Sequence, residues 1–216
     1  MDTILNFLRD LKQNNERDWF QNNKKRYEKA KKEFEDILNR IIPEIYKFDP
    51  SIGLIAAKDC VFRIYRDIRF STDKTPYKTH FGGYIAKGGR KSLHAGYYVH
   101  VDAEQSFLAG GMHMPPGDVL KKIRMEIMYN VDEFKSIITN KKFRDVFGTL
   151  DGEKLTRPPK DFPADFPEID LLKYKSYIVV NQMDIDKFTA KDFEKYAVNV
   201  FRTLHPFNKF LSRAMD

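Results

Sequence analysis

The chain has 216 residues, of which 42% are hydrophobic and 14% aromatic, a composition that excludes a disordered protein and predicts one globular domain. Its 38 basic and 31 acidic residues give a formal net charge of +7, which favours anionic partners only weakly. The single cysteine, Cys60, excludes an internal disulfide and a cysteine-based zinc cluster.

The hydropathy pattern argues against a membrane protein. No apolar run approaches the roughly 20 residues that a membrane-spanning helix needs. The N-terminal stretch MDTILNFLRDLKQNNERDWF has early charges and no long apolar segment, so it does not have the pattern of a signal peptide. We therefore expect a soluble, cytoplasmic protein without a membrane partner.

The N-terminal part, about residues 1–48, has the periodicity of helices. One helix is indicated near the start, and a longer, highly charged one is indicated near Lys24–Lys47. Their apolar stripes consist of Ile4, Leu5, Phe7, Leu8 and Leu11, and of Tyr27, Phe34, Ile37, Leu38, Ile41, Ile42 and Ile45.

The next part, about residues 52–113, alternates between apolar and polar residues as β-strands do. Four segments follow this pattern, at about 60–70, 77–86, 93–102 and 106–113. The turn-forming sequence KGGRKS separates the second from the third, and DAEQ separates the third from the fourth. Connections this short join antiparallel neighbours, so the pattern predicts an antiparallel meander that forms a curved sheet.

The remainder, about residues 114–216, returns to helical periodicity. Helices are predicted at about 118–129, 132–139, 141–147 and 192–204. Between them, TRPPKDFPADFP predicts a non-regular loop that lies against the body of the protein, and SYIVVNQ predicts a late strand. The whole chain, 1–216, is therefore predicted to be a single α+β domain whose sheet is packed by N-terminal, middle and C-terminal helices.

The stretch RIYRDIRFSTDKTPYKTHFGG, Arg63–Gly83, carries many cations for a folded segment. If 61–70 is a strand, alternate side chains point to opposite faces. One face is then apolar except for Arg66, and burying an unpaired charge costs several kcal/mol. We therefore interpret Arg66 as a structural arginine that needs a carboxylate or carbonyl partner.

The opposite face of this predicted strand is polar and indicates an anion-binding cleft. The planar guanidinium of arginine suits phosphate and carboxylate groups, and the turn STDKTP that follows offers backbone N–H groups to an anion. The expected ligand is a small molecule that bears a phosphate or a carboxylate. The candidate binding residues are Arg63, Arg69, Lys74, Lys78 and His80, with Tyr65 and Asp67 orienting the ligand.

Spacing alone leaves other interpretations open. The polar face could instead carry surface ion pairs such as Arg63–Asp67 or Arg69–Asp67, and the protein would then be a non-catalytic interaction module with a structural arginine motif. A basic sheet face could also bind nucleic acid, but Tyr65 is the only aromatic residue on the polar face of the first predicted strand, and no known nucleic-acid motif is present. The residues identify no cofactor and leave open whether a ligand is turned over.

Two patterns that would indicate specific chemistry fail on spacing or context. Cys60 and Arg66 have the C-x5-R spacing of cysteine phosphatases, but the intervening VFRIY favours a strand over a phosphate-binding loop. His94 and His100 lie about 20 Å apart along one predicted strand, too far for one metal ion. The sequence therefore predicts no metal site and assigns no catalytic residue.

The stretch RIYRDIRFSTDKTPYKTHFGG resembles the signature of a family of conserved hypothetical proteins known as domain of unknown function 2461. Further blocks are similar to that family: FLRDLKQNNERDWFQNNKKRYE, GYYVHVD, FLAGGMHMPP, RPPKDFP and HPFNKFL. The resemblance covers almost the whole chain. It implies family membership, and it brings no established activity, cofactor or catalytic residue.

Overall fold

The computed structural model describes residues 1–215, in which ten α-helices accompany one four-stranded antiparallel sheet. The α+β fold predicted from the sequence is confirmed. The helices are α1 (Asp2–Gln13), α2 (Arg17–Asn22), α3 (Lys24–Tyr46), α4 (Ala57–Cys60), α5 (Gly117–Tyr129), α6 (Val131–Ile138), α7 (Lys141–Phe147), α8 (Ile169–Leu172), α9 (Ile185–Thr189) and α10 (Phe193–Arg213). Short 3-10 helices cover Pro50–Ile52 and Gly89–Lys91.

The sheet is an open meander with its strands in chain order. Its strands are β1 (His80–Ile85), β2 (Gly96–Asp102), β3 (Ser106–Met112) and β4 (Tyr177–Met183), and all neighbours are antiparallel. The predicted late strand is β4, which pairs with β3 across the long helical insertion. The register places Gly82 opposite His100, and Ala109 between Tyr98 and Val180.

The segment predicted as a strand at 60–70 differs from that expectation. Only two isolated bridges hold this segment. Val61 pairs with Gly83 of β1, and Tyr65 pairs with Tyr77, which lies ahead of β1 in the chain. The regular pairing that would enforce alternation is missing, so the predicted apolar face does not form. Ile64 is buried, but Phe70 is 95% exposed at the tip of the following loop.

The helices cover only one face of the sheet, which we call the inner face. Tyr97, Val99 and Val101 alternate along β2 and are buried on this face. Helix α10 lies so close to β3 that a Cβ atom on Gly110 would come within 2.1 Å of Leu204. The glycine at this position therefore permits the helix to approach the sheet.

An aromatic cluster joins the N-terminal helices to the cation-rich stretch Arg63–Gly83, which we call the motif. Phe20 stacks on Tyr77 with ring centres 4.0 Å apart, and Phe7 contacts Phe81 of β1. The side chain of Asn15 also bonds the backbone of Tyr77 twice, with its amide donating to the carbonyl at 2.9 Å and its oxygen accepting from the N–H at 3.1 Å. These contacts fix the second half of the motif against α1 and α2.

The proline-rich segment forms no helix or strand over residues 156–167, as its composition predicts. Phe162 and Phe166 are half-buried and pack against the core, so the segment lies on the body of the protein. Within residues 1–215, no helix combines the length and the apolar character that crossing a lipid bilayer requires.

A buried polar network ties the end of α3 to the sheet and to α10. The carboxylate of Asp49 accepts hydrogen bonds from the hydroxyl of Tyr97, at 2.6 Å, and from Ser51, and it lies 3.5 Å from the imidazole of His205. Burial alone would raise the pKa of Asp49. The hydrogen bonds from His205, Ser51 and Tyr97 together outweigh burial and lower the pKa to about 2.

We predict that Asp49 stabilises the fold at neutral pH and that strong acid removes this contribution. Because the pKa falls from 3.8 to about 2 on folding, the stabilisation is complete above about pH 4 and is lost as the pH approaches 2. Asp49→Asn should lower the free energy of unfolding at neutral pH by about 2 kcal/mol in urea denaturation. Asp165→Asn, at an exposed residue, is the matched control, and equal effects of the two substitutions would contradict the assignment.

Candidate functional site

A cavity of about 650 Å³ lies on the outer face of the sheet, the face that the helices leave uncovered. Side chains of all four strands contribute to its floor, and its walls come from Phe62 and from the segments 90–94 and 112–116. Pockets of a few hundred Å³ or more are typical of small-molecule sites. The following groups determine what this cavity can bind.

Aromatic rings of neighbouring strands form the floor of the cavity. The imidazole of His100 stacks on Phe107, with ring centres 4.3 Å apart and an angle of 9° between the planes. Tyr98 contacts both rings and meets Phe62 at the wall, 6.3 Å away. The arrangement follows from strand geometry, because Tyr98 and His100 share one face of β2 and His100 lies opposite Phe107 in β3.

The position of the Tyr98 ring depends on a glycine in the neighbouring strand. A Cβ atom on Gly82 would lie 2.5 Å from the Tyr98 hydroxyl oxygen, so a larger residue would displace the ring. In place, this hydroxyl lies 3.2 Å from Nδ1 of His100. Burial raises the pKa of Tyr98 to about 12, so the hydroxyl keeps its proton at neutral pH and can donate a hydrogen bond.

His80 and His100 form a pair of imidazoles in contact, with ring centres 4.3 Å apart and an angle of 32° between the planes. Burial lowers the pKa of His100 to about 3, and the charge of His80 adds to the effect. Burial also lowers the pKa of His80, assisted by the charge of Lys78 and opposed by that of Asp102. Both rings are therefore neutral at neutral pH, and each has one nitrogen that can accept a hydrogen bond.

Lys78 supplies a positive charge at the end of the cavity nearest the motif. It is half-buried, and its Nζ lies 5.6 Å from the centre of the Phe62 ring. Burial lowers the pKa of Lys78, and the nearby charge of Arg63 lowers it further, with no acidic group acting in the opposite direction. Among residues 1–215, its ammonium group forms neither an ion pair nor a hydrogen bond.

Arg90 adds a second positive charge to the cavity wall. Its guanidinium donates hydrogen bonds to the carbonyl oxygens of Lys58, at 3.2 Å, and Asp59, at 3.0 Å. These bonds to neutral carbonyls hold the group in place without cancelling its charge. The wall of the cavity therefore combines a guanidinium held by two carbonyl groups with the ammonium of Lys78.

Three of the predicted binding residues form their polar contacts within the loop after the extended segment. The carboxylate of Asp67 accepts from both ends of the Arg69 guanidinium, at 2.9 and 2.7 Å, and this bond lowers the pKa of Asp67. Lys74 donates from Nζ to the carbonyl of Ile68 at 3.0 Å. None of Asp67, Arg69 and Lys74 lines the cavity. Of the two ion pairs that the sequence allows for Asp67, the one with Arg69 forms, and the one with Arg63 does not form among residues 1–215.

Arg66 has the carboxylate partner expected from the sequence, but the pair is not in the core. Arg66 forms an ion pair with Asp73 and donates a hydrogen bond to the Thr75 hydroxyl at 2.7 Å. Its side chain is 28% exposed, because the alternation that would have buried it breaks down beyond Ile64. Arg66 therefore closes the loop at the surface of the protein.

Tyr65 lies in a different place from the other predicted residues. It packs on Phe20 and Tyr77 and lines a smaller cavity of about 330 Å³, together with Arg17 and Arg66. It therefore does not join Lys78 in the larger cavity.

The structure thus divides the predicted site. Lys78 lines the larger cavity, His80 stacks on His100 at its floor, and Arg63 acts on Lys78 through its charge. The sequence interpretation missed Tyr98 and Phe107 as site residues. The alternation in GYYVHVD and SFLAGGM placed them on one face, but nothing in the sequence indicated that the helices would leave that face open. Among residues 1–215, no group of three or more His, Cys, Asp and Glu side chains is placed to hold a metal ion.

Comparison with known proteins gives one match. The family model described as "Conserved hypothetical protein (DUF2461)" matches residues 3–210, so the chain belongs to this family, as its motif indicates. No curated protein and no solved structure matches the chain.

We predict that His100 makes the fold sensitive to mild acid. An unfolded histidine binds a proton below about pH 6.5, whereas the folded chain keeps His100 neutral until the pH falls towards 3. Acidification from about pH 7 to about pH 5 should therefore lower the free energy of unfolding, and His100→Gln should remove about 1 kcal/mol of that loss. Urea denaturation at both pH values measures this. His113→Gln, at an exposed histidine, should lose as much stability as the wild type, and the same loss in His100→Gln would refute the prediction.

Proposed function

We propose that this member of the DUF2461 family binds a small molecule with an acidic group and a flat apolar body in the cavity on the outer face of its sheet. The observation that carries the proposal is the position of Lys78, a half-buried cation without an acidic partner at the end of an aromatic cavity. The ligand's acidic group is a carboxylate or a phosphate.

The electrostatics of the cavity favour an anion. Burial makes the charged form of Lys78 unfavourable, and the charge of Arg63 increases this cost. An anion beside the Lys78 ammonium would offset both effects, because it replaces lost hydration and separates two like charges. Arg90 in the same wall adds to the attraction for an anion.

The floor of the cavity favours an apolar body for the same ligand. Tyr98 and Phe107 present ring surfaces, and Val180 and Ile178 of β4 extend the apolar floor. Burial of apolar surface stabilises a complex by about 25 cal/mol per Å² before the cost of association is subtracted. The hydroxyl of Tyr98 and the neutral imidazoles can orient polar atoms of the ligand by hydrogen bonds.

The proposal changes the composition of the site expected from the sequence. It keeps Arg63, Lys78 and His80 and assigns Asp67, Arg69 and Lys74 to the loop, where they bond to one another and to the backbone. The loop then has a structural role. The interpretation as an interaction module gave this role to the whole motif. We also retain the proposed cytoplasmic location, which suits the buried free thiol of Cys60.

A nucleic acid suits this face less well than a small molecule does. His100 is already stacked between His80 and Phe107, so neither of its faces is free for a base. The rings also lie at the floor of a concave cavity, whereas single-stranded nucleic acid needs an open stacking surface with a continuous basic groove.

We predict that some aromatic carboxylates or aryl phosphates raise the melting temperature of the protein, because ligands that bind only the folded state stabilise it. For a compound found in this way, Lys78→Ala should weaken the affinity about tenfold or more in isothermal titration calorimetry, since a hydrogen bond to a charged group contributes about 1.5–3 kcal/mol. Lys87→Ala, at an exposed lysine outside the cavity, should bind as the wild type does.

Two results would count against this function. Undiminished affinity in Lys78→Ala, together with a loss of binding in Arg69→Ala, would place the site on the loop. Tight binding of short single-stranded oligonucleotides that falls steeply with salt would favour the nucleic-acid alternative.

A further inference from the structure

We infer that Lys78 is a nucleophile that forms a Schiff base with the carbonyl carbon of an oxo acid bound in the cavity. The inference rests on the proposed function and deepens it, because it names the class of the ligand as a ketone or aldehyde that also carries a carboxylate. It further assigns the protein a covalent step.

The first argument is the environment of the Lys78 amine. A lysine becomes nucleophilic when it is desolvated in an apolar pocket or placed beside another cation, because both conditions favour the neutral amine. Lys78 meets both conditions, because it lies half-buried in a cavity with an aromatic floor and is close enough to Arg63 to be affected by its charge. These effects lower the pKa of Lys78 and increase the fraction of neutral amine at neutral pH.

The second argument is that the amine is not engaged in the structure of the protein. Most lysines that bind acidic partners here do so at the surface, as Lys12 does with Glu104 and Lys141 does with Asp145. Among residues 1–215, the Lys78 ammonium has no such partner. Its lone pair, once the proton is lost, is available to a ligand in the cavity.

The third argument is the presence of other groups for the rest of the ligand. When Lys78 gives up its charge, Arg90 in the cavity wall still carries a permanent one and can attract the carboxylate. The apolar part of the ligand can lie on Tyr98 and Phe107, which belong to the same cavity. An oxo acid with an aromatic or branched apolar tail would therefore contact all three parts of the site.

The chemistry is balanced without a cofactor. The ammonium of Lys78 first gives one proton to the neutral imidazole of His80, on which its charge already acts. The Nζ lone pair attacks the carbonyl carbon, the C=O π electrons move to oxygen, and a proton passes from nitrogen to that oxygen to give a carbinolamine. His80 then returns its proton to the hydroxyl group, water leaves, and the nitrogen lone pair forms the C=N bond of a protonated Schiff base.

Borohydride trapping tests the inference directly. The protein is incubated with phenylpyruvate and sodium cyanoborohydride, which reduces a Schiff base to a stable secondary amine. Intact mass spectrometry should show one reduced adduct per chain, and peptide mapping should place it on Lys78. Lys78→Arg, which keeps the positive charge, should lose the adduct, whereas Lys87→Arg should retain it. No adduct, or adducts spread over exposed lysines at the same rate, would overturn the inference.

A second measurement separates failure of this inference from failure of the proposed function. Phenyllactate has a hydroxyl in place of the reactive carbonyl, so it can bind but cannot form a Schiff base. If phenyllactate binds the wild type and Lys78→Arg with similar affinity but binds Lys78→Ala at least about tenfold more weakly, the anion site stands whatever the trapping shows. If only the trapping fails, the Schiff-base inference is wrong and the anion site remains. If phenyllactate binding also fails to weaken in Lys78→Ala, the proposed site is wrong as well.

Discussion

Coverage of the sheet on one face only is the constraint from which the candidate site follows. Helices α3 and α10 pack on the inner face, where Tyr97 and Val99 are buried. An uncovered antiparallel sheet usually presents polar residues to water. Here the outer face carries rings instead, and the loops around Phe62 and at 112–116 rise beside them, so the open face becomes a cavity.

The cations of the motif differ in how their charge is neutralised, and this difference separates structural residues from candidate ligand-binding ones. Arg66 and Arg69 each have a carboxylate within the same loop, and they are exposed enough that such pairs contribute little to stability. Lys78 has no acidic partner among the described residues and is partly removed from water. The motif therefore combines a loop closed by ion pairs with a half-buried lysine that lines the cavity.

Residues outside the motif are as important to the cavity as those within it. Tyr98 of β2 bonds to His100, and its ring occupies the room that Gly82, at the end of the motif, leaves open. The lip of the cavity includes Met114, 75% exposed, which takes a left-handed conformation with φ of 46° and donates its N–H to the buried hydroxyl of Ser176. A non-glycine residue in this conformation is strained, so the lip is held in place by the surrounding structure.

Much of the fold could be predicted from the sequence, because helices and paired strands leave periodic patterns. The α5–α7 segment, the meander from β1 to β3 and the late strand β4 agree with those patterns. The failure at 60–70 has a physical cause: alternating residues define two faces only when regular pairing holds the pleat, and that segment has only isolated bridges.

The site was harder to predict for a similar reason. The cation count singled out a segment that contributes Lys78 to the cavity, but ion pairs such as Asp67–Arg69 depend on loop conformation. The contribution of β2 and β3 to the site depends on which face of the sheet the helices cover. The helical patterns of α3 and α10 do not specify that face.

The most direct measurement of the central claim is a crystallographic screen of the wild-type protein with small aromatic acids and matched neutral amides. The account predicts that the acids bind in the cavity on the outer face, with the carboxylate in hydrogen-bond reach of Lys78 or Arg63 and the ring against Tyr98 or Phe107, and that the amides bind there less often. Acids that gather only around Arg69 and Lys74, or amides that occupy the cavity as often as acids, would contradict it.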